Sequence, residues 1–128
     1  MREPDAVTDR LAQSVVGAAI AVHRVLGPGF LEAVYENALC VELDCRAIRF
    51  ERQKVVPLHY RGRHVADHRL DLVIGGRIVV ELKTVDGLAP IHVAQMISYL
   101  TATQLMLGLL INFRVPVLKD GIHRVIRS

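Results

Sequence analysis

The segment Arg77-Ile78-Val79-Val80-Glu81-Leu82-Lys83-Thr84-Val85 constrains the fold of this chain more than any other. Its β-branched apolar residues read as a central strand, and a strand apolar on both faces needs cover on both. Alternation puts Arg77, Val79, Glu81, Lys83 and Val85 on one face and Ile78, Val80, Leu82 and Thr84 on the other. A carboxylate and an ammonium thus share one side of a buried strand, where charge is costly unless paired or bound to a metal. The chain has to build a covered sheet and supply those two charges with partners.

The flanking sequence supplies the cover. Leu11, Val15, Ala18, Ala19, Val22, Val25 and Leu26 recur at helical spacing from about Asp9 to Leu26, and Gly27-Pro28-Gly29 stops the pattern. A second helical pattern runs from Phe30 to about Cys45 through Leu31, Val34, Ala38 and Leu39. Ile48 to Tyr60 and His64 to Ile74 alternate as strands around Arg61-Gly62-Arg63, and Gly75-Gly76 turns into the central segment. Beyond Asp86-Gly87-Leu88-Ala89-Pro90 a helix is predicted over Ile91 to Thr103, then a buried strand over Leu105 to Phe113. Lys119-Asp120-Gly121 reads as the turn of a final hairpin. The order helix, helix, three strands, helix, strand and short β tail predicts a mixed sheet with helices packed on it, in the α/β or α+β class. The length of 128 residues fits one domain, and 52% apolar with 23% charged residues suits one core and argues against disorder.

Composition excludes several function classes. The longest apolar runs fall far short of the roughly 20 residues that span a bilayer. The chain opens with Arg2, Glu3 and Asp5 in place of an apolar signal segment, so a cytoplasmic location without a membrane partner is expected. Cys40 and Cys45 are too few for a four-thiolate zinc or iron–sulfur site and read as reduced, structural thiols. Net charge is only +3, but it is unevenly placed. From Arg46 to Arg77 there are eight basic residues (Arg46, Arg49, Arg52, Lys54, Arg61, Arg63, Arg69, Arg77) against Glu51, Asp67 and Asp71, a local excess of five. That patch suits a polyanion such as nucleic acid; a solvated basic sheet edge that resists aggregation is the other reading.

Asp71 lies in the strand before the central one, among Leu70, Leu72, Val73 and Ile74. Asp71, Glu81 and Lys83 together make the set that metal-assisted phosphodiester hydrolysis requires. Hard carboxylate oxygens hold Mg²⁺ or Mn²⁺, the Leu82 carbonyl adds a ligand, and Lys83 orients or deprotonates water and offsets charge on the phosphate. The spacing alone, Asp-x9-Glu-x-Lys, is also met by a structural Lys–carboxylate pair. Convergence depends on the Gly75-Gly76 turn. A two-residue hairpin closed by Ile74 and Arg77 would pair Asp71 with Val80, on the face opposite Glu81. A three-residue loop or a bulge that brings Asp71 opposite Glu81 or Val79 is therefore predicted, and the glycines suit the positive φ such a turn needs.

Asp on the second strand and Glu-x-Lys on the third, in a core of helix, three strands, helix and strand, resembles the PD-(D/E)XK nuclease superfamily. Gly29-Phe30-Leu31-Glu32-Ala33-Val34-Tyr35 resembles the signature of the GxxExxY protein family. His23-Arg24-Val25-Leu26-Gly27-Pro28, His92-Val93-Ala94-Gln95 and Leu110-Ile111-Asn112-Phe113 are similar to that family as well. The resemblance implies a restriction-endonuclease-like core, a mixed sheet flanked by helices in the order α-β-β-β-α-β with an extra N-terminal helix. It implies Glu32 as a helix carboxylate that assists metal binding, with Glu36 one turn later able to substitute or contribute. Gln95 and Tyr99 resemble a Gln-x-x-x-Tyr motif in which Gln holds the metal-bound water or the phosphate and Tyr contacts the nucleic-acid backbone. His92 is on the same stripe. Tyr35 reads as a packing residue with its hydroxyl satisfied, and His64 and His68 as surface or nucleic-acid-facing residues.

The catalytic set is therefore Asp71, Glu81, Lys83, Gln95 and Tyr99, and the metal set Asp71, Glu81, Leu82 and Glu32. The activity expected is Mg²⁺- or Mn²⁺-dependent hydrolysis of nucleic acid, DNA first with RNA open. Two rivals stand beside it: a non-cleaving nucleic-acid-binding or protein-interaction module that retains the fold, and an assembly protein whose amphipathic first helix forms a homo-oligomer or partner interface.

Overall fold

A computed structural model describes residues 4–127, so the charged Arg2 and Glu3 lie outside the described residues. Helix α1 (Ala6–Leu26) is started by Asp5, whose side chain accepts a hydrogen bond from the Thr8 amide at 2.7 Å, satisfying one of the N–H groups left free at a helix start. It ends at Gly27, with φ of 72°, whose amide donates to the His23 carbonyl. Helix α2 (Glu32–Cys45) begins two residues later than the apolar pattern suggests, because Phe30 belongs to the corner. The Phe30 amide donates to the Tyr35 hydroxyl, and that hydroxyl donates to the Gly27 carbonyl. The buried Tyr35 ring stacks on Phe113 with centroids 4.4 Å apart, which locks the Gly-Pro-Gly corner to the core.

Five strands form one sheet in chain order: β1 (Phe50–Tyr60), β2 (Arg63–Ile74), β3 (Ile78–Lys83), β4 (Leu107–Asn112) and β5 (Ile122–Ile126). Neighbours are antiparallel except β3 and β4, which are parallel and joined by helix α3 (Pro90–Thr103). On one face, Val15, Ala18, Tyr35 and Leu39 of α1 and α2 pack with Leu72, Ile78 and Val80. On the other, Met96 and Leu100 of α3 pack with Val73, Val79 and Leu110. The central strands are thus covered on both faces, as their apolar pattern demands.

Two expectations need correction. Lys119-Asp120-Gly121 is not a tight hairpin turn but part of a 3-10 turn (Leu118–Gly121) that ends the long connection 113–121. Leu118 anchors that connection in the core, and Gly121 lies so close to the Asn112 carbonyl that no Cβ would fit. Arg77 is not on β3 beside Val79 and Glu81; it closes the preceding turn and pairs with Asp5 at 3.3 Å. Cys40 is buried, Cys45 is exposed, and both are free. Among the described residues no helix is long and apolar enough to cross a membrane.

The turn between β2 and β3 fixes the site. Gly75 and Gly76 have φ of 57° and 67°, and the Arg77 amide donates to the Ile74 carbonyl at 2.9 Å, the arrangement of a hairpin turn with both central residues left-handed. Arg77 is the extra residue, so Ile74 pairs with Ile78, Val73 with Val79 and Leu72 with Val80. One step further this three-residue loop sets Asp71 opposite Glu81. A Cβ on Gly75 would also meet Leu11 Cδ2 at 2.9 Å. Gly75→Ala is therefore expected to destabilise by about 1–2 kcal/mol, against less than about 0.5 kcal/mol for Gly87→Ala, whose Cβ would meet nothing. Urea denaturation of the two variants tests this, and equal midpoints would show that the turn tolerates a side chain.

Candidate active site

Regular pairing between β2 and β3 stops at Leu72 and Val80, and side chains take over from the backbone ladder. The Asp71 amide donates to Glu81 Oε2 at 2.7 Å, and the Leu82 amide donates to Asp71 Oδ2 at 2.8 Å. Each carboxylate thus grips the other strand, in the wedge where the two strands part. Leu70 packs with the α3-side cluster while Leu72 packs with the α1 and α2 side. Residues two apart in a regular strand share a face, so β2 turns over at Asp71. Across from it on β1, Gln53 has φ of 50° and drops out of the pairing between Arg52–Leu72 and Lys54–Leu70. In an extended strand the N–H and C=O of one residue point the same way, so the Leu82 carbonyl also faces the wedge.

The site is short of positive charge. Glu81 is only 6% exposed, and its carboxyl is pushed up to about 8, first by burial and then by the charge of Asp71. Burial also raises Asp71, with the charge of Glu36 adding to it, while the Leu82 amide, Lys83 and Gln53 act the other way. Glu32, in the first turn of α2, is raised by burial and by Asp71. Burial raises the Tyr99 phenol too, helped by Glu81 and Asp71. Glu32 and Tyr99 therefore stand within electrostatic reach of the Asp71–Glu81 pair, from α2 and α3 respectively. Lys83 favours the anionic form of all three carboxylates yet forms no ion pair among the described residues. A Lys–carboxylate pair serving only structure would be closed.

Of the other residues, Glu36 and His68 fall differently from their sequence reading. Glu36 is not free to contribute to a metal: it is buried, with Oε2 taken by Arg52 Nε and Oε1 by Gln53 Nε2, both at 2.8 Å. Gln95 is exposed and makes no side-chain hydrogen bond among the described residues, although Tyr99 one turn on is half-buried. His92 caps α3, its Nδ1 accepting from the Ala89 amide at 2.9 Å. His64 is exposed and bonded to Asp67 at 2.7 Å, whereas His68 is half-buried and stacks on Tyr99 with centroids 4.2 Å apart. The surface reading of His68 thus fails, because α3 covers it; its Nε2 is buried without a hydrogen-bond partner. Sequence reasoning missed Arg52 and Gln53. The signal was the unbroken polar run Glu51-Arg52-Gln53-Lys54, which a regular half-buried strand would not carry.

Among the described residues no three His, Cys, Asp or Glu side chains come together as a ready chelate. Asp71 and Glu81 nonetheless fit a hard divalent cation, which is commonly held by one or two carboxylates with water and substrate phosphate completing the shell. They are adjacent, anchored through one oxygen each, and both resist ionising together.

A family model described as the PD-(D/E)XK nuclease superfamily matches residues 9–125. Comparison with curated proteins and with solved structures gives no match.

A group whose folded pKa is raised stabilises the fold at acidic pH, and that contribution is lost as pH rises through the folded value. With a chelator present, stability due to Glu81 should therefore decline from near its ordinary value of 4.5 up to about 8. Glu81→Gln keeps an acceptor for the Asp71 amide and should flatten the decline. Denaturant melts at several pH values between about 5 and about 8 check this; parallel slopes in both proteins would assign the effect to another group.

Proposed function

The chain belongs to the PD-(D/E)XK nuclease superfamily, and from that membership and the wedge between β2 and β3 we propose that it is a Mg²⁺- or Mn²⁺-dependent nuclease acting on DNA. Its fold, a five-strand mixed sheet with three helices, is restriction-endonuclease-like, and nucleases of this superfamily generally use divalent metal ions. Within the superfamily we place the chain with the GxxExxY proteins, a placement supported by Gly29 to Tyr35, where Tyr35 closes the corner ahead of Glu32. The observation that carries the nuclease reading is the reciprocal grip of Asp71 and Glu81 beside Lys83, which forms no ion pair among the described residues.

On this reading Asp71, Glu81 and the Leu82 carbonyl hold the cation, with Glu32 approaching from α2. The bound cation supplies Lewis-acid stabilisation of the phosphate and acidifies a water. Lys83, as an ammonium, would orient the attacking water and offset charge on the phosphoryl oxygens. Tyr99 lies along the wall formed by α3, where its hydroxyl can meet the nucleic-acid backbone, and Gln95 sits one turn outward toward phosphate. Arg46, Arg52, Lys54 and Arg77 of the basic stretch are consumed in ion pairs. Arg49, Arg61, Arg63 and Arg69 have none among the described residues, and three of them ride on the β1–β2 hairpin, which continues past the last β2–β3 pair as a two-stranded arm.

Purified protein incubated with single-stranded, double-stranded and branched DNA should cut at least one of them when Mg²⁺ or Mn²⁺ is added. Lys83→Ala should slow cutting by about 100-fold or more. Equal cleavage by both proteins, or no metal dependence, sinks the proposal; binding without cleavage in the wild type would favour the non-cleaving module.

Replacing Arg61 and Arg63 together by alanine should weaken DNA binding at low salt for all sequences alike and reduce the slope of log affinity against log salt by about two. Fluorescence anisotropy across a salt series checks it, and an unchanged slope would remove the arm from the interface.

Mn²⁺ should raise the unfolding midpoint of the wild type near neutral pH, because a ligand selective for the folded state stabilises by mass action. Asp71→Asn should lose most of that gain while matching or exceeding the wild type in chelator, since it relieves repulsion and keeps an acceptor for the Leu82 amide. An equal response in both proteins would mean that the ion binds elsewhere.

A further inference from the structure

Gln53 occupies a backbone conformation that disfavours every residue with a side chain, with φ of 50° in the middle of β1. Glycine would take the position without strain. A glutamine there has to gain something through its amide. Its Nε2 donates to Glu36 Oε1 at 2.8 Å, and its place between the pairs Arg52–Leu72 and Lys54–Leu70 sets it across from Asp71, whose ionised form the Gln53 side chain favours. A primary amide nitrogen has two N–H groups, so one amide can serve both carboxylates at once. Glu36 is itself immobilised, being buried with its second oxygen on Arg52 Nε at 2.8 Å. The amide is therefore held from behind by α2, with one N–H left for a second acceptor.

Resting on the metal-dependent reading above, we propose that Gln53 is a positioning residue whose amide, anchored on Glu36, holds the Asp71 carboxylate turned toward Glu81 for a divalent cation. The left-handed kink is what makes this possible. Regular alternation would give Gln53 a ladder place opposite Asp71; the kink releases it from the pairing between Arg52–Leu72 and Lys54–Leu70. The tie between α2 and β1 does not need Gln53, because Arg52 already makes it through Glu36 and Asn37. What Gln53 adds is the link onward to Asp71.

Two variants separate positioning from folding. Gln53→Met keeps the length and removes the donors, and Gln53→Gly also removes the backbone strain, so that at least one folded protein is available. Both should unfold in chelator near the wild-type midpoint, while calorimetric Mn²⁺ affinity falls by about 10-fold to 100-fold, the range for loss of a partner that orients a metal ligand. In metal-free ¹⁵N-labelled wild type, the Gln53 side-chain amide protons should be protected from exchange with water, and one should lose protection in Asp71→Ala while the other, bonded to Glu36, keeps it. Mn²⁺ affinity within about twofold of wild type in both variants, or unchanged protection in Asp71→Ala, overturns the assignment. A wild type that binds no Mn²⁺ would sink the metal reading itself, and the amide protons would then decide whether Gln53 holds Asp71.

Discussion

The exchange between Asp71 and Glu81 governs the centre of this molecule. Where β2 and β3 part, the amides of Asp71 and Leu82 lose their ladder partners, and a buried amide without an acceptor costs about as much as a lost hydrogen bond. The two carboxylates supply the acceptors, each to the other strand. A wedge can then open in the sheet without leaving orphaned backbone, and the groups that hold it open are those that line it. Site and fastening are the same atoms, so neutral isosteres that keep an acceptor disturb the fold less than truncations do.

The wedge is held in place from several sides. Arg52 and Glu36 bind β1 to α2, and Tyr35 closes the corner from which α2 starts. Behind Lys83, the Phe113 amide donates to the Lys83 carbonyl at 2.9 Å. Asn112, buried in an otherwise apolar strand, accepts from the Val85 amide at 3.1 Å and donates to the Val85 carbonyl at 2.9 Å. The chain leaving β3 is thereby clamped just past Lys83. A polar side chain at the end of β4 is tolerated in the core because both functions of its amide are satisfied.

Element order and the position of the central strand were legible because hydrophobic period is a local property. The register of Asp71 was legible in part: the need for both carboxylates on one face excluded a two-residue turn at Gly75-Gly76, while the choice between Glu81 and Val79 as its partner followed only from the pairing of Leu72 with Val80. Gln53 and the capture of Glu36 were not. They depend on a left-handed residue in β1 meeting a helix more than ten positions earlier, and no local pattern encodes that meeting. The surface reading of His68 failed for a related reason: its alternation says which face it takes, whereas its burial depends on α3, which arrives later in the chain and lays Tyr99 over it. The exposed position of Gln95 is likewise a matter of how α3 is rotated on the sheet, which the i, i+4 spacing with Tyr99 leaves undetermined.

Charge placement joins the site to the rest of the surface. Among the described residues, the cation that acts on Glu32, Asp71 and Glu81 alike is Lys83, because Arg52 is spent on Glu36. The wedge is thus acidic within a chain whose net charge is +3. A polyanion approaching the protein is attracted by Arg61, Arg63 and Arg69 on the β1–β2 arm and repelled at the wedge. Under the proposed function a divalent cation reverses the second effect, so cation and nucleic acid favour each other's binding through the field alone. Protonation of Glu81 lowers the repulsion as well, but it removes a ligand in doing so. Protons and metal therefore compete for the same carboxylates, and only the metal leaves Glu81 able to bind while it cancels the charge that keeps a phosphate away.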